Sequence, residues 1–65
     1  MKILLNGEER EVNATRLSDV LIELGFEGAT IATALNGDFV PAAERASAEL
    51  AAGDRLEVVA PQQGG

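Results

Sequence analysis

The residues best placed to do chemistry stand at the end of the chain. The last eight are Val58-Val59-Ala60-Pro61-Gln62-Gln63-Gly64-Gly65, and no charged side chain follows Glu57. Val58 to Ala60 read as the close of a strand. Pro61 has no backbone N–H to give to a ladder, so pairing is expected to stop there. Residues 61–65 then form a flexible, uncharged tail with a bare carboxylate on Gly65. Glycine lacks a Cβ, so partner groups can approach its backbone from either side. Gln63 and Gly64 suit threading through a narrow enzyme channel, and Gly65 would present its carboxylate inside it. A frayed terminus has the same composition, so the rest of the chain has to decide between the two.

Most other catalytic chemistry is absent. The chain has no Cys and no His. It therefore lacks the usual thiol nucleophile, the usual neutral-pH base, disulfides and a thiolate or imidazole metal site. Sixty-five residues make one domain, with little room for an enclosing cleft. The chain is expected to be a protein acted upon, with no cofactor of its own. Eleven Asp/Glu against five Lys/Arg leave a net charge of −6. That charge repels phosphate backbones and anionic lipid, so neither nucleic acid nor membrane is an expected partner. The apolar run Met1–Leu5 is too short for a signal core or a membrane span. A cytoplasmic protein, monomeric when free, is expected.

The elements that would hold the tail follow from pattern. Met1 to Leu5 reads as a strand, Asn6-Gly7 as a type I′ hairpin turn, and Glu8 to Val12 as a charged return strand at a sheet edge. Leu17, Val20, Leu21 and Leu24 recur at i, i+3, i+4, i+7, which predicts a helix over about residues 16–24. Thr15 and Ser18 are candidate caps, with Gly25 at C′ and Phe26 folding back on Leu21. Thr30 to Leu35 reads as a strand in which Ala32/Ala34 and Ile31/Leu35 are both eligible for the inner face. Asn36-Gly37 turns it into a short strand, Asp38 to Val40, stopped by Pro41. Ala42 to Ala52 suggests a helical turn anchored by Leu50. Gly53-Asp54 then leads into a last strand, Arg55 to Ala60, with Leu56, Val58 and Ala60 on one side. Many Ala, Val, Leu and Ile and only two aromatics, Phe26 and Phe39, suit a small, tightly layered core. One helix on one face of a mixed sheet follows, an α+β arrangement whose other face is open.

These features together resemble the ThiS family of thiamine biosynthesis, whose members are ubiquitin-like β-grasp sulfur carriers. The residues that carry the likeness are Met1-Lys2-Ile3 with Asn6-Gly7, Leu17-Ser18-Asp19-Val20-Leu21, Ala34-Leu35-Asn36-Gly37-Asp38-Phe39-Val40-Pro41, Leu50-Ala51-Ala52-Gly53-Asp54-Arg55-Leu56-Glu57-Val58 and Gln63-Gly64-Gly65. Ala60-Pro61-Gln62 departs from the pattern, with a proline close to the tip. The resemblance implies a β-grasp domain over 1–60, with parallel first and last strands, and a carrier tail over 61–65. It implies that a ThiF-like adenylating enzyme uses ATP to convert the Gly65 carboxylate to an acyl-adenylate. Sulfur from a cysteine desulfurase system would displace AMP to leave a thiocarboxylate, and thiazole synthase would take up that sulfur. Carriers for molybdopterin or cysteine synthesis share this chemistry, and a ubiquitin-like modifier or passive interaction domain shares the end. With first and last strands adjacent and parallel, Leu4 and Val59 would form one exposed apolar patch for partner docking.

Overall fold

The computed structural model describes residues 1–27 and 30–60. Lys2–Leu5 (β1) turns through Asn6-Gly7 into Glu8–Glu11 (β2). Both turn residues have positive φ, 50° and 88°, which is the requirement that Asn-Gly meets. Leu17–Glu23 (α1) follows, then Ala32–Leu35 (β3) and Asp38–Val40 (β4), joined by the matching Asn36-Gly37 turn. A 3-10 turn at Ala42–Glu44 leads to a last strand, Arg55–Val59 (β5). The sheet order is β2-β1-β5-β3-β4, with β1 parallel to β5 and the other pairs antiparallel.

The helix covers one face. Leu17, Val20 and Leu21 pack with Ile3, Leu5, Val12, Val40, Leu50, Leu56 and Val58. A helix of seven residues is too short to persist alone, so this burial is what holds it. It is also shorter than the predicted 16–24, with Arg16 and Leu24 as its caps. Neither Thr15 nor Ser18 caps it, and no side chain does. The chain from Arg45 to Leu50 takes that role. The N–H of Leu17 donates to the Ala48 carbonyl at 2.8 Å and that of Ser18 to the Arg45 carbonyl at 3.0 Å. The C-terminal end follows expectation. Gly25 has φ 92° and its N–H donates to Ile22, while the Phe26 N–H reaches back to Leu21 at 2.8 Å, a Schellman closure.

Between the two candidate inner faces of β3, the structure takes Ile31 and Leu35, with Thr33 between them 1% exposed. The buried hydroxyl is satisfied twice. It donates to the Val40 carbonyl at 2.9 Å and accepts from Arg45 Nε at 3.2 Å, while Arg45 also donates to the Ile31 carbonyl at 2.8 Å.

Ala60, expected on the inner side of the last strand, is exposed, and β5 ends at Val59. Phe39 lies outside the core, 69% exposed. In the pleat of β4 Val40 takes the inner position and Phe39 must point the other way.

Candidate functional site: the open sheet face and the root of the tail

Sheet geometry lays out the face opposite the helix. Side chains alternate along each strand, so burial of Ile3, Leu5, Leu56 and Val58 turns Lys2, Leu4, Arg55, Glu57 and Val59 outward. The same alternation puts Ala32, Ala34 and Phe39 on that face. Register then groups them. Phe39 pairs with Ala34, Ala34 with Glu57, and Ala32 with Val59. Val59, 61% exposed, and Phe39 are thus the large apolar residues on the β5, β3 and β4 part of this face, two strands apart and offset by two positions, with Ala32 and Ala34 between them.

Leu4 and Val59 do share this face, but they do not sit side by side. Leu4 is level with Arg55, and Val59 is four positions farther along β5. At roughly 3.3 Å per residue that separates them by about 13 Å, with Glu57 lying between on the same strand. Leu4, half-buried, instead lines a shallow groove of about 260 Å³ with Arg55 and Glu57, beside both Asn-Gly turns. Sequence reasoning misses Phe39 as a member of the open face. The signal is present: with Val40 taking the inner position at the end of the strand, alternation leaves Phe39 outside.

On this part of the face β5 ends at Val59, which pairs with Ala32, and Ala60 follows it out of the sheet. The tail expected over 61–65, with Gln63, Gly64 and Gly65, lies outside the described residues. Among the described residues no group of three or more acidic, His or Cys side chains is placed to hold a metal ion. No helix among them is long and apolar enough to cross a membrane.

A helix laid across a mixed sheet with parallel, adjacent first and last strands defines the β-grasp class. A solved structure of the same fold, a thiamine biosynthesis protein (ThiS) from Geobacter metallireducens, matches with a TM-score of 0.82 over 100% of both chains at 22% identity. The ThiS family model matches residues 3–65, and this chain belongs to that family. The sulfur carrier protein ThiS of Thermus thermophilus is 40% identical over 63 residues, covering 97% of this chain and 98% of that protein. A thiazole synthase of Paramagnetospirillum magneticum is 38% identical over 66 residues. This chain is covered completely but spans only 20% of that larger protein.

Proposed function

We propose that this chain is a sulfur carrier of thiamine biosynthesis, with Gly65 as the atom-transferring end. The observation that carries the reading is the family match through residue 65, supported by 40% identity to a sulfur carrier over nearly the whole of both chains. A free carboxylate is a poor electrophile, since its charge repels nucleophiles and oxide is a poor leaving group. Activation therefore comes first. A Gly65 oxygen attacks the α-phosphorus of ATP on a ThiF-like adenylating enzyme, and pyrophosphate leaves. The terminal sulfur of a persulfide, charged by a cysteine desulfurase system, attacks the acyl carbon and AMP leaves. A thiol cleaves the acyl disulfide so formed, and Gly65 is left as a thiocarboxylate. The carrier is a recycled co-substrate, and the catalysis belongs to its partners.

Thiazole synthase is the acceptor in this reading. Its support is the Paramagnetospirillum protein of that name, which contains a segment 38% identical to the full length of this chain. Docking would use the open face, through Val59 and Phe39 beside the tail and through Leu4 at the groove. Residues 61–65 would form the tail, with Gln63 and Gly64 in the partner's channel. Chain composition suits this arrangement. No internal thiol exists to capture the activated acyl group, and no side-chain charge enters the channel ahead of the carboxylate.

The test is intact mass after incubation with the adenylating enzyme, ATP and a sulfur source. The expected gain is that of one oxygen replaced by sulfur. Deleting Gly65 shortens the reach by about 3.3–3.6 Å, and a misplacement of about 1 Å can slow such chemistry by roughly 10²-fold. The deletion is expected to fold normally and to remain unmodified. Equal thiocarboxylation of the deleted and intact chains would sink the proposal.

A further inference from the structure

β1 is shorter than the strand it pairs with. Its register with β5 covers Leu4 with Arg55 and Leu5 with Leu56, after which the chain turns away at Asn6. The Asn6 N–H still reaches the Leu56 carbonyl at 2.9 Å. Two residues on, the N–H and C=O of Val58 point to the same side of β5, where no backbone of β1 remains to meet them. The Asn6 side chain meets them instead. Its Oδ1 accepts from the Val58 N–H at 3.0 Å and its Nδ2 donates to the Val58 carbonyl at 3.1 Å. A carboxamide has the donor and acceptor of a peptide group, so one side chain continues the ladder by one rung. Asn6 takes the positive φ that the turn requires, and from there its amide reaches over β5.

This rung is the last one on the β1 side among the described residues. Val59 is held from the other side, by Ala32 of β3. Ala60 follows, and the chain then runs to Gly65. We infer that Asn6 is a positioning residue for the carrier reaction, its side-chain amide fixing the end of β5 and so the point and direction from which the tail leaves the domain. The inference rests on the carrier reading above. Loss of the amide would free one side of β5 at Val58 and spread the directions in which the carboxylate is offered. Asn6 borders the Leu4 groove, but Leu4, Val59 and Phe39 would remain in place, so docking would largely survive while delivery suffered.

The molecule contains its own control. Asn36 occupies the matching turn at φ 51°, and its Oδ1 accepts from the Arg55 N–H at 2.9 Å. It too supports β5, but at the end remote from the tail. Asn6→Gly and Asn36→Gly both keep a residue suited to positive φ, and they delete two and one side-chain bonds to β5 respectively. ATP–pyrophosphate exchange would be followed against carrier concentration on the adenylating enzyme, with amide hydrogen exchange read at Val58. Both variants are expected to fold, each with a Tm lower by several degrees. Asn6→Gly should lose Val58 protection and about tenfold in kcat with KM within about twofold, the signature of a misplaced reacting group. Asn36→Gly should keep the wild-type kcat. Asn6→Asp, which keeps the acceptor for the Val58 N–H and loses the donor, should fall between. Equal kcat in the two glycine variants, or an effect in KM alone, would overturn the inference and leave the carrier reading standing. Absence of exchange with the wild-type chain would instead remove the carrier reading, and the inference with it.

Discussion

Glu23 shows how one exposed carboxylate can organise a loop. Its two oxygens accept from the backbone N–H groups of Asn13 and Ala14, at 2.9 to 3.0 Å, and so tie the approach to α1 to the helix's own last residue. The bonds to Ala14, first, and Asn13 hold its pKa below the ordinary 4.5. A carboxylate with a depressed folded pKa stabilises the fold above its unfolded pKa. That contribution is lost as pH falls through the folded value. Glu23→Gln is therefore expected to lower Tm at pH 7, and the gap from wild type should close as pH drops below about 4.5. Thermal melts of both proteins across that range make the check. A gap that stays constant into the acid range would mean that the ionised carboxylate contributes nothing.

Among the elements, α1 has the least intrinsic stability and the most to gain from packing. Seven residues cannot sustain a helix in water. Leu21 sits just past its midpoint, 5% exposed, with Phe26 closing the turn behind it. Leu21→Ala is expected to remove about 2–5 kcal/mol, a large share of the stability of so small a domain. Urea titration measures this directly, and a loss under about 1 kcal/mol would mean the helix is not what seals the core. The segment from Ala42 to Leu50 matters to the helix in a second way. Its carbonyls cap the N-terminus that Thr15 and Ser18 leave uncapped.

For the whole molecule, the consequence of one-sided helix packing is a free sheet face. Its large apolar residues include Val59, where β5 ends, and Phe39, and its acidic setting comes from a chain of net charge −6. Phe39→Asp or Val59→Asp is expected to weaken binding to the adenylating enzyme about tenfold, or about 1.4 kcal/mol, without changing the fold. Leu4→Asp acts through the separate groove. With about 13 Å between them, Leu4 and Val59 substitutions should add to within about 0.5 kcal/mol. Calorimetric titration of single and double variants decides it. Affinity unchanged in all of them removes the face as a docking surface.

Most of the architecture is legible in the sequence through local rules. Positive-φ turns need Asn-Gly, a 3.6-residue apolar period needs a helix, and alternation needs strands. Those rules place the hairpins, α1, β4 and β5 within a residue or two, and the likeness carried by those residues supplies the parallel pairing of the first and last strands, the rest of the strand order coming from the structure. What they leave open depends on partners distant in sequence. Thr33 is a buried polar residue only because Val40 and Arg45 satisfy its hydroxyl, so the inner face of β3 has no local signature. The helix cap departs from the Thr15 and Ser18 expectation because carbonyls about thirty residues away replace a side chain. Leu4 and Val59 share a face by period alone, but their separation is a matter of register between β1 and β5. The Asn6 side chain reads as a turn residue in sequence. Only the tertiary structure brings Val58, 52 positions away, within its reach and makes it a further rung on the β1 side of β5.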